Sequence, residues 1–218
     1  MKKRKKLITV AIDSPAAAGA GTQAKLISEH YNLFYLDTGK IYRYIAKLKL
    51  HHKKKFTYKL VKTKINNLKL NFLKNKNLLS NEVAIASSKI AKDKKIRDIV
   101  HKFQQKCAYS PPMKYAGSVL DGRDIITVQI KDAMFKFFIT ASLKVRSKRR
   151  FKEYKSLKKK ITLKEVVKSL KNRDKSDRQR KHGPLKKTED SILINTSKLS
   201  RKRCFEKIKV IMDRKLNI

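Results

Sequence analysis

The sequence predicts an α/β fold in which helices flank a parallel sheet. Three observations carry this. The apolar, β-branched run Leu7-Ile-Thr-Val-Ala-Ile-Asp13 passes through a small-residue loop into a helical pattern, the opening unit of such a sheet. Four more short apolar strand-like runs and one half-exposed run follow, with helical stretches among them. Two of these runs end in Asp and Gly, at Asp37-Thr38-Gly39 and Asp121-Gly122, and open α/β sheets bind ligands at that end of their strands.

Taken in order, residues 7–13 are bounded by turn residues and read as a buried parallel strand. Pro15, Gly19 and Gly21 make the loop, and Ala24, Leu26, Ile27 and Tyr31 mark the helix after Thr22. Asn32 breaks it, and Leu33 to Leu36 form the second strand. Ile41, Tyr44, Ile45 and Leu48 lie at helical spacing. The basic stretch 49–56 holds His51 and His52, which are adjacent and have no Cys or acidic residue nearby, so no metal is expected there. Residues 57–67 read as a weak helix. Leu68, Leu70 and Phe72 alternate with Lys69 and Asn71, which predicts a half-exposed strand. Asn75-Lys-Asn77 predicts a turn. Helices are expected over 81–92 and 94–108, ended by Pro111-Pro112.

Ser118-Val-Leu120 is the third strand and Met134 to Thr140 the fourth. A helix with Arg146, Arg149 and Arg150 follows, then a capping box, Thr162-Leu-Lys-Glu165, that opens another helix. Residues 173–190 are polar and contain Gly183-Pro184, which predicts a mobile loop or lid. Ser191 to Asn195 is the fifth strand and 199–216 the closing helix.

Composition narrows the function classes. A chain of 218 residues with 40% hydrophobic content can bury one core, with room for an insert. Six Gly and four Pro exclude collagen-like sequence. Two cysteines, Cys107 and Cys204, exclude a disulfide scaffold and fit a reducing, cytoplasmic setting with free thiols. The longest early apolar block, Leu7 to Ile12, has six residues, against about 20 for a membrane span. Met1 to Lys6 looks like the start of a signal peptide, but this apolar stretch is too short to complete one. Lys and Arg number 58 and Asp and Glu 17, a net charge of 58 − 17 = +41. That charge attracts phosphate-rich partners. It is spread along the chain, which favours a solvated, Lys- and Asn-rich surface over a dedicated nucleic-acid face. His30, His101 and His182 are isolated and receive no role.

The segment Asp13-Ser-Pro-Ala-Ala-Ala-Gly-Ala-Gly-Thr22 sits between strand and helix, where a phosphate-binding loop belongs. In such loops small residues let backbone N–H groups face the phosphates, and a hydroxyl reaches Mg²⁺. Two positions depart from the usual pattern: Ser14 stands where the first Gly is expected, and Ala20 where the Lys is expected. An ordinary strand-to-helix turn is the alternative for this segment alone.

Four stretches then occur in register. They are Ile12 to Pro15 with Gly19 to Thr22, Leu36-Asp-Thr-Gly-Lys-Ile-Tyr-Arg43, Asp121-Gly-Arg-Asp124, and Arg173-Asp-Lys-Ser-Asp-Arg-Gln-Arg180. Together they closely resemble the bacterial cytidylate kinases, over residues 7 to 216. The resemblance implies a P-loop nucleoside-monophosphate kinase fold: a five-stranded parallel sheet, an acceptor-binding insert over about 51–110, and an arginine-rich lid over about 173–190. It implies transfer of a phosphoryl group from ATP to CMP or dCMP with Mg²⁺, by a monomer acting on small molecules. ATP would lie on Ser14, Pro15, Ala16, Ala17, Ala18, Gly19, Ala20, Gly21 and Thr22, with Thr22 at the metal. CMP would meet Thr38, Arg43, Ser88, Arg97, Arg123, Asp124, Arg173, Asp177 and Arg180. Arg123, Arg149 and Arg180 would neutralise charge on the phosphates.

This fits the chemistry, because phosphoryl transfer needs positioning and charge neutralisation, and the arginine fork grips phosphate at two points. Three readings remain open. One is an active CMP kinase in which Arg149, Arg178 or Arg180 replaces the missing Lys. The second is a nucleotide- or RNA-binding protein without the chemistry. The third is a kinase for another monophosphate such as UMP, because Ile125-Ile126-Thr127 and a short segment before Ser88 depart from the family pattern. Lys25 is expected to be a poor replacement, since five residues at ~100° each carry it about 140° around the helix.

Overall fold

The computed structural model describes residues 7–218; the signal-like Met1 to Lys6 lies outside them. The strands are β1 (Ile8–Asp13), β2 (Leu33–Asp37), β3 (Gly117–Gly122), β4 (Phe135–Thr140) and β5 (Ile192–Asn195). They form one sheet in the order β2-β3-β1-β4-β5, with every pairing parallel. The helices are α1 (Ala20–His30), α2 (Thr38–His52), α3 (Tyr58–Asn66), α4 (Asn81–Ile90), α5 (Lys94–Tyr109), α6 (Leu143–Ser156), α7 (Leu163–Gln179) and α8 (Arg201–Leu216).

Strand alternation divides the core. Val10 and Ile12 of β1 face a cluster with Ala24 and Ile27 of α1 and Ile208 and Met212 of α8. Ala11, between them, faces the opposite cluster with Ile41 and Ile45 of α2, Val61 and Ile65 of α3, and Val100 of α5. β1 is therefore buried on both sides, as expected of a near-continuous apolar strand in a parallel sheet.

Capping follows the local sequence. Thr162 and Glu165 satisfy each other's backbone amides at the start of α7. Asp37, Ser80, Asp93, Ser142 and Ser200 cap α2, α4, α5, α6 and α8 through their side chains. α1 is the exception: Gly19 precedes it at φ 100° with no side-chain cap, so its first amides are left open.

Two expectations are corrected. Residues 68–72 are not a strand. Leu70–Lys74 and Lys76–Leu79 are short 3₁₀ turns, held by bonds such as Phe72 N–H to Lys69 O at 2.9 Å. No sheet edge lies beside this segment to pair with it, so the backbone satisfies itself locally. Its core contacts are Leu68, Leu73 and Leu78, while Phe72 is exposed. The segment 173–190 does not begin as a loop either: α7 continues through Gln179, and the irregular stretch starts at Arg180. The helix puts Arg173 and Asp177 one turn apart on one face.

Candidate active site

The site lies at the C-terminal ends of β1, β2 and β3, in a cleft of about 430 Å³ between the loop after β1, α2, α4 and α7. The loop Ser14–Gly19 is shaped by two left-handed residues, Ala17 at φ 62° and Gly19 at φ 100°. Ala16, Ala18 and Ala20 carry only methyl groups and are almost fully buried. Two of the loop's carbonyls are already taken. Ala16 O accepts from Arg146 Nη1 at 3.2 Å, and Ala18 O accepts from Arg149 Nη1 at 3.3 Å and Thr196 Oγ1 at 2.8 Å. With small side chains and these two carbonyls engaged elsewhere, the remaining loop amides and the uncapped end of α1 are left for the cleft. This is the arrangement that attracts an anion.

Asp13 holds the loop's base. Its carboxylate accepts from Ile125 N at 2.8 Å and Ile126 N at 3.0 Å. These amides open a π-helical turn, Ile125–Gln129. Complete burial pushes the Asp13 carboxyl up to about 7, with Asp124 adding to the effect. Asp121 sits at the end of β3 as the register partner of Asp37. Tyr35 Oη donates to Asp121 Oδ1 at 3.0 Å, and Asp121 Oδ2 lies 3.4 Å from where a Cβ on Gly21 would stand. Burial, and then the charge of Asp37, raise the Asp121 carboxyl well above the usual carboxylate range.

Across the cleft four arginines converge. Arg43 Nη1 donates to Leu78 O at 2.8 Å. Arg123 donates through Nε to Asp177 Oδ2 and through Nη1 to Gly122 O, both at 2.9 Å. Arg173 Nε stands 3.7 Å from Asp177 Oδ2 and is buried without a hydrogen-bond partner. Arg150 pairs with Glu153 at 2.9 Å. Burial and the charge of Arg123 push the Arg173 guanidinium down to about 10. Burial and the charge of Arg150 lower Arg43 in the same way. Cations that repel one another around a shared space are stabilised by an anion placed between them.

The far end of the cleft is polar and tightly paired. Asp124 Oδ2 accepts from Arg97 Nη2, and from Gln129 Nε2 at 2.9 Å, while its Oδ1 lies 3.4 Å from Arg180 Nη2. Arg97 also donates to Ala91 O at 3.2 Å, and Arg180 Nε to Gly183 O at 2.6 Å. Ser88 lines this end and donates to Ala84 O at 3.3 Å.

The structure brings most of the residues named from the sequence to one cleft; Ala16, Arg97 and Arg149 are not part of its lining, although Arg97 pairs with Asp124, which is. Thr38 is there but committed: its Oγ1 donates to Asp121 O at 2.7 Å and is 3% exposed, so it braces the strand end. Arg149 is anchored on Thr196 and Ala18. Arg178 is exposed and not in the cleft lining, while Lys25 does line the cleft, against the expectation from its helical angle. Sequence reasoning missed Asp13, Thr196, Gln129 and the pair Arg146–Asp174 at 2.6 Å. Asp13 and Thr196 end or follow strands, and that position was the available signal.

A family profile described as cytidylate kinase matches residues 10–214. The chain belongs to the cytidylate kinase family. Named cytidylate kinases similar to it include one from Clostridium botulinum strain Loch Maree, 40% identical and covering 95% of this chain and 98% of the relative. One from Bartonella tribocorum is 41% identical over 89% of each chain, and one from Thermosipho melanesiensis 36% identical over 96% and 98%. A crystal structure of an uncharacterised protein from Eubacterium ventriosum shares the fold at TM-score 0.55 and 18% identity, covering 94% of this chain and 98% of that one. As a cytidylate kinase family member the chain is a phosphotransferase, with ATP as co-substrate and CMP or dCMP as acceptor. No helix among the described residues is long and apolar enough to cross a membrane.

Proposed function

We propose that this cleft carries the reaction with the following division of labour. ATP lays its phosphates along the loop from Ser14 to Thr22, on the amides left free once Ser14 N has bonded Gly122 O and Ala18 N has bonded Pro15 O. The CMP phosphate enters among Arg43, Arg123 and Arg173, and Arg180 reaches it from the base end. Asp124, Arg97 and Ser88 read the cytosine. The observation that carries this reading is the arginine cluster. A buried, unpartnered Arg173 Nε and three neighbouring guanidiniums face the uncapped start of α1 across one cleft.

The chemistry follows from these groups. A phosphomonoester has a second pKa of about 6, so near neutral pH its oxygen attacks without a dedicated base. The protein's work is to hold attacking and leaving oxygens in line and to neutralise charge as it spreads over the transferring group. Arg123 is braced for this by Asp177, which fixes its fork. Asp124 accepts from an exocyclic amino group and Arg97 donates to a ring carbonyl, the pattern of cytosine. Uracil would set its carbonyl against the Asp124 carboxylate.

The hydroxyl of Thr22 and the carboxylates of Asp121 and Asp37 are hard oxygen donors that suit Mg²⁺. Among the described residues no group of three or more His, Cys, Asp or Glu gathers into an all-protein metal cage. The ion would be held with the substrate phosphates, where it would neutralise charge on the donor phosphates. The enzyme is proposed to act as a monomer, and dependence on ATP supports a cytoplasmic one.

The test is ADP release from ATP with CMP, dCMP and UMP at equal concentration. Turnover should be highest with the cytosine nucleotides. Equal turnover with UMP would remove Asp124 and Arg97 from the role of reading the base.

A further inference from the structure

P-loop kinases use a Lys at the first position of the helix to follow charge between the donor phosphates. Here that position is Ala20, which lines the cleft, is 4% exposed and brings no charge. The arginines near the loop are already engaged. Arg149 gives Nη1 and Nη2 to Thr196 and Ala18, Arg146 is held by Asp174 and Ala16, and Arg180 lies on Asp124 and Gly183.

We propose that Lys40, in the first turn of α2, supplies the phosphate-bridging ammonium that the loop lacks. The proposal rests on the division of the cleft given above. Lys40 lines the cleft, and its Nζ stands 3.7 Å from Asp37 Oδ2. That is too long for a hydrogen bond, and the side chain is 29% exposed, so the ammonium is held loosely. Its backbone is fixed, because Asp37 caps the helix by accepting from Lys40 N at 3.2 Å. The acids beside it point toward the loop. Asp37 is the register partner of Asp121, Lys40 is one of the cations whose charge acts on Asp121, and Asp121 Oδ2 lies 3.4 Å from the Cβ position of Gly21, the residue after Ala20. β2 and β1 are separated only by β3, roughly 9.5 Å in all at ~4.8 Å per strand spacing. A flexible four-carbon stem covers part of that gap, and phosphates standing out from the loop would meet its ammonium. A divalent ion held by Asp37 and Asp121 would neutralise these carboxylates and leave the ammonium free to pair with the phosphates. Lys25 also borders the cleft, but from the exposed side of α1 and with no acid recorded against it.

The experiment compares Lys40→Met, Lys40→Arg, Lys25→Met, Ala20→Lys and the double variant Ala20→Lys/Lys40→Met. It reads kcat and KM and, by calorimetry, the affinity for a non-hydrolysable ATP analogue. Lys40→Met should lower kcat more than about tenfold, with the KM for CMP changed less than about threefold, and should weaken the analogue. Lys40→Arg keeps the charge and should lose less. Ala20→Lys should restore most of the Lys40→Met loss, so the two changes are non-additive. Simple multiplication of the two effects, or an equal loss from Lys25→Met, would overturn the assignment. Should the natural chain fail to turn over CMP, the kinase reading falls while the binding arm still decides. An unchanged analogue affinity in folded Lys40→Met then overturns the role of Lys40.

Discussion

Gly183 shows how one residue fixes the closed arrangement of the cleft's far end. It sits at φ +57°, and a Cβ there would run into Arg97 Nη2 and Asp124 Oδ2. An alanine must both adopt the left-handed region, at roughly 1–2 kcal/mol, and push apart a buried ion pair. Gly183→Ala should therefore lower the melting temperature by several degrees and raise the KM for CMP more than that for ATP, as thermal unfolding and steady-state kinetics would report. Equal effects on both substrates would separate this glycine from the base-reading pair. At this scale the acceptor side was legible, because Arg123, Asp124 and Asp177 lie in short motifs beside Gly and Asp. The bracing groups were not. Arg146 is one of 58 basic residues, and nothing in its spacing to Asp174 announces a buried pair between helices. Thr38 was read as a substrate contact, and its hydroxyl belongs to Asp121 O because β2 and β3 end side by side.

Among the elements, the strands were legible because each is a run of apolar residues closed by turn chemistry, and α7 because its capping box is complete. The insert was less so. Leu68, Leu70 and Phe72 alternate as a strand would, but alternation cannot show whether a partner strand exists. The lid is a composite. In the segment expected to be a lid, Arg173 and Arg178 ride on the last turns of α7, while Arg180 caps it and residues 180–190 are irregular. That stretch is tied down by Leu185, which is buried and whose N–H donates to Asp177 O at 2.8 Å. The chain has six glutamates: Glu29, Glu82, Glu153, Glu165 and Glu206 lie in helices, and Glu189 alone lies in this stretch. A glutamate-specific protease should cut first after Glu189, and CMP with an ATP analogue should slow that cut several-fold if the segment closes over substrates. An unaltered cleavage rate with both ligands bound would mean that the segment does not close.

For the whole molecule, two buried carboxyls set the pH response. Asp13 and Asp121 are raised in the folded chain, so they hold protons that the unfolded chain has already lost above pH 3.8, the ordinary value for Asp. A raised carboxyl stabilises the fold below its unfolded pKa, and that stability is lost as pH climbs through the folded value. The depressed carboxyls, Asp177 among them, act in the opposite sense but only below pH 3.8. From pH 5 to 7 the denaturant midpoint should therefore fall, and Asp13→Asn should flatten the slope. A midpoint that rises over this range would show that other groups dominate. The sheet order has a consequence in time as well. β1 lies between β3 and β4, and β3 begins at Gly117, about a hundred residues after β1 ends. At roughly 5–20 residues per second a ribosome needs on the order of 5–20 s to deliver that partner. Until then the apolar face of Val10 and Ile12 emerges with no neighbour in the sheet. The strongly basic nascent chain must stay soluble by self-repulsion and chaperones, and the phosphate loop can take its shape only once the second half of the message has been read.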